Sequence, residues 1–235
     1  MDLLARLAAA PERAAILLDV DGALAPIVAR PEDARVPDST RAVLVDLADR
    51  YALVACISGR AGEDARRVVG VPALTYVGNH GLELDPAAEP WRKRLAELLA
   101  DAAWADTENK GYSAALHFRN ADDEARAIAR LDEIAERARA AGFVARYGRK
   151  VLELLPPLAS NKGTAVSRLL AERRLRRALY AGDDTTDLDA FRALDGLEVG
   201  VRVAVTSPEG PRALTEGADV VVDGAAELVD LLRAL

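Results

Sequence analysis

Short apolar runs recur along this chain with helix-length stretches between them: Ala14–Leu18, Ala52–Ile57, Leu74–Val77, Ala178–Ala181, Val199–Val205 and Val220–Val222. Runs of this length suit strands rather than helices, and alternation with helical patterns makes them the parallel strands of βαβ units. After the first run, Pro37-Asp38-Ser39 reads as a helix start, and Val43, Leu44 and Leu47 form its apolar stripe. A last helix is expected from Ala225 to about Ala234. The middle of the chain breaks the rhythm. Pro90 opens a helix to about Ala103, and the acidic Ala121-Asp122-Asp123-Glu124 opens another ending near Gly142. The strands around them alternate instead: Ala114, Leu116 and Phe118 on one face, Ser113, Ala115, His117 and Arg119 on the other, with Leu152 and Leu154 opposite Val151 and Glu153. The expected fold is therefore α/β. A Rossmann-like parallel-sheet core spans 1–84 and 158–235, and an inserted α+β unit with a small antiparallel sheet spans 85–157.

Composition narrows the function classes. Of 235 residues, 51% are hydrophobic but only 4% aromatic, so the core must be built mainly from Ala, Val and Leu. A formal charge of −7 argues against a nucleic-acid or anionic-membrane surface. Met1 to Ala10 carries Asp2 and Arg6 and lacks a signal-peptide pattern, and no apolar stretch reaches membrane-span length, so a cytoplasmic protein is expected; the acidic, patch-poor pattern points to a monomer. Cys56 lies inside an apolar run and reads as a small buried hydrophobe. Trp91 and Trp104 read as packing within the insert. Neither His80 nor His117 has zinc-ligand spacing to a partner.

The chemistry is concentrated where apolar runs stop. In an open parallel sheet, ligands bind beyond the carboxyl ends of the strands. The first run exits into Asp19-Val20-Asp21-Gly22, the second into Ser58-Gly59-Arg60, and the fourth into Gly182-Asp183-Asp184-Thr185-Thr186-Asp187; Asn161-Lys162-Gly163 opens the helix before that fourth strand. Each piece alone has an ordinary reading as a turn, a helix start or a cap. Together they suit a carboxylate nucleophile working on a phosphate ester. Two anions about 4 Å apart repel by roughly 1 kcal/mol in water and about 4 kcal/mol at an effective dielectric near 20, and a divalent cation removes that penalty. Asp19, Asp183 and a carbonyl near Asp21 offer oxygen ligands for Mg²⁺, with Asp184 and Asp187 as further candidates. Lys162 neutralises the transferring phosphoryl group and Ser58 hydrogen-bonds it. Asp21 is left to protonate the leaving alkoxide and then to deprotonate water.

With these motifs in that order, the chain resembles the haloacid dehalogenase superfamily, and within it the trehalose-6-phosphate phosphatases, over nearly its whole length. The matching stretches are Leu18 to Val28, Ile57-Ser58-Gly59-Arg60, Tyr76-Val77-Gly78-Asn79-His80-Gly81, Glu108-Asn109-Lys110, Leu116-His117-Phe118-Arg119-Asn120, Lys150-Val151-Leu152-Glu153, Asn161-Lys162-Gly163 and Gly182 to Asp187. The resemblance implies phosphorylation of Asp19, acid–base work by Asp21, and Mg²⁺ held by Asp19, Asp183 and the Asp21 carbonyl. It further implies a mobile cap whose Glu108, Lys110, His117, Arg119 and Glu153 face the substrate together with Gly59, Arg60, Asn79 and His80. The expected activity is hydrolysis of trehalose 6-phosphate in trehalose biosynthesis. Two positions depart from the family pattern: Ala23 stands where Thr is usual, and Leu155 where Arg is frequent. Alternatives are a related phosphatase for another sugar phosphate, or a sugar-phosphate-binding regulator with weak turnover. A phosphoacceptor receiver domain fits less well, since it has neither the Asp-x-Asp pair nor a large insert.

Overall fold

The computed structural model describes residues 2–28, 30–207 and 210–235. It divides into two compact units, Met1–Leu84 with Ser160–Leu235, and Asp85–Ala159.

The first unit is built on a six-stranded sheet of β1 (Ala15–Leu18), β2 (Leu53–Ile57), β3 (Thr75–Val77), β8 (Arg177–Gly182), β9 (Val199–Thr206) and β10 (Val220–Asp223). All neighbours pair in parallel, in the order β10-β9-β8-β1-β2-β3. This is the Rossmann-like core expected from the apolar runs. Alternation sends successive residues of β1 to opposite faces. Ile16 and Leu18 join one hydrophobic cluster with Leu44 and Leu47 of α2 (Asp38–Arg50), Val68 of α3 (Gly62–Val69) and Leu228 and Leu232 of α9 (Gly224–Arg233). Ala15 and Leu17 join the other, with Val166 and Leu169 of α6 (Lys162–Glu172), Phe191 of α7 (Asp187–Arg192) and Leu214 of α8 (Arg212–Glu216). Helices therefore cover both faces, which is why β1 and β2 are apolar without interruption. A short N-terminal helix, α1 (Leu3–Ala8), buries Leu7 in the first cluster. Cys56 is fully buried in that cluster as well, and burial followed by the nearby Asp19 pushes its thiol up, away from reactivity.

The second unit carries α4 (Glu89–Ala102), the hairpin β4 (Thr107–Asn109) and β5 (Ala114–His117), α5 (Glu124–Ala140), and the hairpin β6 (Val144–Gly148) and β7 (Val151–Leu155). Its sheet is antiparallel, in the order β4-β5-β7-β6. Leu116, Leu152 and Leu154 pack with Leu95, Leu98, Leu131 and Ile134 of the helices. Both tryptophans belong to this unit: Trp91 meets Phe143 edge-on at 5.1 Å, and Trp104 Nε1 donates to the His117 carbonyl at 2.7 Å. Asp123 caps α5, accepting from the Arg126 N–H at 3.0 Å. One detail differs from the alternation read in the sequence. β5 ends at His117, and Arg119 lies in the turn that leads the chain towards the Asp123 cap, not on the strand. Among the described residues, no helix is long and apolar enough to cross a membrane.

Candidate active site

The parallel sheet reverses its winding at β1, with β8 on one side and β2 on the other. Loops leaving the carboxyl ends of neighbouring strands diverge there and open a crevice. The strand ladder continues into the site: the Asp19 N–H donates to the Ala181 carbonyl and the Ser58 N–H to the Val77 carbonyl, each at 2.9 Å. Asp183 follows β8 directly. Lys162 is the first residue of α6, aimed by a reciprocal cap in which Asn161 Oδ1 accepts from the Thr164 N–H and Thr164 Oγ1 accepts from the Asn161 N–H, both at 2.9 Å.

These groups meet out of water. Asp19 is 5% exposed, Lys162 2%, Asp183 8% and Asp187 fully buried. Lys162 Nζ lies 3.0 Å from Asp19 Oδ2 and donates to Asp187 Oδ1 at 2.7 Å. Burial opposes the Lys162 charge, but Asp19 and Asp187 outweigh it and hold the ammonium above its ordinary value. Burial raises the Asp19 carboxyl well above the usual carboxylate range, against the pull of Lys162. Asp183 is pushed up to about 6, by burial and then by Asp187. Among the described residues these three carboxylates share a single buried cation, and the group is short of positive charge.

Asp187 is the least available of the three. Its Oδ1 accepts from Lys162 and from the Tyr180 hydroxyl at 2.7 Å, and its Oδ2 accepts from the backbone N–H groups of Asp183 and Asp184 at 2.9 Å. Four hydrogen bonds fill its lone pairs, so it shapes the loop after β8 and aims Lys162. Asp183 is the opposite case, because its Oδ1 is buried with no hydrogen-bond partner among the described residues. An orphaned buried carboxylate oxygen beside Asp19, in an all-oxygen donor set short of positive charge, fits a hard divalent cation. Gly22 lets the neighbouring loop approach: its φ is +83°, and a Cβ there would collide with the Asp183 carboxylate.

Asp21 and Arg60 are joined across the loops after β1 and β2. Arg60 Nε donates to Asp21 Oδ2 at 2.7 Å and Nη2 to Oδ1 at 2.8 Å, while Nη1 donates to Asp64 Oδ2 at 2.7 Å. Ser58 is 1% exposed, and its Oγ accepts from the Arg60 N–H at 3.1 Å. The turn after β3 folds back on this loop: the Asn79 N–H donates to the Arg60 carbonyl at 2.7 Å and the His80 N–H to the Ser58 carbonyl at 2.9 Å. Asn79 and His80 both have φ of 52°, a left-handed pair held by its surroundings. The His80 ring lies where a Cβ on Gly59 would fall, 2.6 Å from its Nε2.

The structure therefore gathers Asp19, Lys162, Asp183 and Asp187 into one buried group, with Asp21, Ser58, Gly59, Arg60, Asn79 and His80 on adjoining loops. Asp184 is not part of that group. It is exposed, and its Oδ1 accepts from the Thr185 N–H at 2.7 Å. The remaining sequence candidates lie in the second unit: Glu108, His117 and Glu153 on its strands, Lys110 just past β4 and Arg119 in the turn after β5. Glu108 pairs with Lys110 at 3.7 Å and with His117 at 3.4 Å, Glu153 pairs with Arg146 at 2.7 Å, and Arg119 is exposed. Ala23, at the family's usual Thr position, is fully buried in the core.

Three contributors carried no sequence signal strong enough to select them. Tyr180 sits inside an apolar run, although a buried Tyr hydroxyl requires a partner and so hinted at one. Asp64 stands four residues after Arg60 at the start of α3. Glu83 accepts from the Gly62 N–H at 2.8 Å, the Gly78 N–H at 2.9 Å and Asn79 Nδ2 at 3.2 Å, tying the two loops together.

The family model described as trehalose-phosphatase matches residues 17–107 and 92–217. The chain is 35% identical over 228 residues to a trehalose-phosphate phosphatase of Mycobacterium avium, covering 85% of this chain and 56% of that protein. It is 37% identical over 221 residues to an uncharacterized glycosyl hydrolase of Mycobacterium tuberculosis, covering 81% of this chain but 16% of that protein. The chain thus spans about half, or far less, of the length of these relatives. Among solved structures, a trehalose-6-phosphate phosphatase of Aspergillus fumigatus superposes with a TM-score of 0.65 at 24% identity, covering 100% of this chain and 97% of that one, and so shares the fold.

Proposed function

The chain belongs to the trehalose-phosphatase family, and on that premise we propose that it hydrolyses trehalose 6-phosphate to trehalose and phosphate through a phosphoaspartyl intermediate on Asp19. The observation that carries the reading is the buried Asp19–Lys162–Asp187 arrangement with the orphaned Asp183 oxygen beside it. A buried carboxylate oxygen left without a protein partner calls for a ligand to complete it.

Asp19 attacks phosphorus; an aspartyl O–P bond forms as the ester P–O bond breaks. Lys162 holds the Asp19 carboxylate in place and lowers the repulsion between it and the incoming phosphate. The Ser58 Oγ is already an acceptor for the Arg60 N–H, which leaves its proton for a phosphoryl oxygen. Asp21 gives a proton to the departing sugar oxygen, then takes one from the water that attacks the aspartyl phosphate and frees Asp19. Asp19, Asp183 and the Asp21 carbonyl are the groups that would hold Mg²⁺, which supplies charge neutralisation and in-line alignment of the phosphoryl group. Glu108, Lys110, His117, Arg119 and Glu153 mix donors and acceptors suited to sugar hydroxyls, and we assign sugar selection to them, with Gly59, Asn79 and His80 on the core loops.

The test is phosphate release from trehalose 6-phosphate beside a panel of other sugar phosphates, with Mg²⁺ and with chelator, for the wild type and Asp19→Asn. Selective, metal-dependent release abolished in Asp19→Asn is expected. Activity on a different sugar would keep the mechanism and overturn the sugar assignment. Ligand binding with no release from any ester would favour a sugar-phosphate-binding regulator.

A further inference from the structure

Arg60 is only 12% exposed at its side chain, and each terminal nitrogen, with Nε, donates to a carboxylate. Two of these bonds form a parallel fork on both oxygens of Asp21; the third reaches Asp64, whose other oxygen accepts from Arg67 Nε at 3.0 Å. We propose that Arg60 is a positioning residue that fixes Asp21 for proton transfer to the leaving group, braced by Asp64, and is not a ligand of the substrate. The proposal rests on the phosphatase reading above.

Asp21 stands on a loop whose backbone is tied down by the Gly22 N–H to the Ala25 carbonyl at 2.8 Å and the Ala25 N–H to the Val20 carbonyl at 2.8 Å, while its side chain is 36% exposed. A half-exposed carboxylate on a fixed backbone still has its own torsions, and a general acid must lie within hydrogen-bond reach of one particular oxygen. A bidentate guanidinium fixes both the position and the plane of the carboxylate, which a lysine ammonium does not. For Arg60 to bind the substrate phosphate instead, this fork would have to open. The step it serves balances when Asp21 enters it protonated on a lone pair that the fork leaves open: the Asp19 O–P bond forms, the ester P–O bond breaks, and that proton passes from Asp21 to the sugar oxygen.

Leaving-group dependence tests the role. The p-nitrophenolate ion departs without protonation, whereas a sugar alkoxide does not. The ratio kcat/KM covers only the steps through departure of the leaving group, so the later water attack does not enter. Arg60→Ala is expected to lower kcat/KM for trehalose 6-phosphate by about 10²-fold, within the usual range for general-acid assistance, and for p-nitrophenyl phosphate by less than about 10-fold. Arg60→Lys, which keeps the charge and loses the fork, shows the same bias. Asp64→Asn shows it at smaller size, with the fork intact and its brace weakened. The double variant Asp21→Asn with Arg60→Ala is expected to be no slower on the sugar ester than Asp21→Asn alone, because both remove one device. Equal losses on the two esters would overturn the proposal, as would an additive double variant or a loss confined to KM. A wild type that hydrolyses neither ester would overturn the phosphatase reading itself; an active wild type with uniform losses would overturn the Arg60 assignment alone.

Discussion

The two units of this chain treat polar side chains in opposite ways. Asp19, Ser58, Asn79, Lys162, Asp183 and Asp187 are all buried in the parallel-sheet unit, four of them just past strand ends and Lys162 and Asp187 at helix starts. The inserted unit buries no polar side chain among the described residues; its candidates form solvated pairs such as Glu108–His117 and Arg146–Glu153. Burial makes each charge depend on its neighbours, so the first arrangement is rigid and intolerant of change. Hydrated pairs contribute little to stability and are readily rearranged. Chemistry in the one and selection in the other is the division this contrast suggests.

The sharpest break of the comparison is kinetic. Asp19→Asn removes the proposed nucleophile and is expected to lower turnover by about 10⁴-fold or more, leaving the fold intact. Steady-state phosphate release measures this, and a loss of only a few fold would remove Asp19 from the chemical step.

Stability separates the units next. Lys162→Met strips the shared cation from Asp19 and Asp187, both buried, and is expected to cost about 3–5 kcal/mol in urea unfolding. The matching change in the insert, Arg146→Ala, breaks an exposed pair and should cost about 0–1 kcal/mol. Equal costs would mean that the contrast in burial has no energetic content.

The same contrast decides what could be read from the sequence. Buried strands need apolar residues on both faces, so β1, β2 and β8 announced themselves, and a carboxylate directly after such a run stood out. Asp19, Lys162 and Asp183 were legible for that reason. Asp187 was legible as part of a cluster, but not as a carboxylate with every lone pair filled, because its partners Lys162 and Tyr180 come from another helix and from the strand before it. Arg60 was expected to face the substrate; its fork on Asp21 depends on two loops brought together only by the sheet order. Arg119 was read as the last residue of an alternating strand, and local alternation gives no sign of where the chain must turn towards a cap.

Metal dependence gives a smaller effect. Without metal, burial raises the Asp183 carboxyl from 3.8 to about 6, with Asp19 raised as well. A carboxyl with a raised folded-state pKa binds more protons folded than unfolded. Its contribution is fully present below pH 3.8 and is lost as pH rises through about 6. In chelator, the melting temperature should therefore fall between about pH 4 and 7, while Mg²⁺ at about 100 times its Kd restores roughly 2.7 kcal/mol at the higher pH. Asp183→Asn should remove the Mg²⁺ response. Thermal melts at several pH values with and without Mg²⁺ read both, and a response unchanged in Asp183→Asn would move the cation elsewhere.

The smallest expected effect tests the insert from its own side. Glu108→Gln and His117→Ala alter exposed groups whose pairing, at 3.4 Å, is loose, so unfolding should shift by no more than about 0.5 kcal/mol. If these side chains select the sugar, they still lower kcat/KM for trehalose 6-phosphate, by about 10-fold each if one hydrogen bond worth about 1.4 kcal/mol is lost. Hydrolysis of p-nitrophenyl phosphate, which has no sugar to recognise, should stay within about 2-fold, since one kcal/mol or less separates the variants in folding. A substitution on one unit would then change which ester is accepted while leaving the chemical step on the other untouched. Parallel losses on both esters would instead mean that the insert takes part in the chemistry, and that buried catalysis and hydrated selection are not separately housed in this chain.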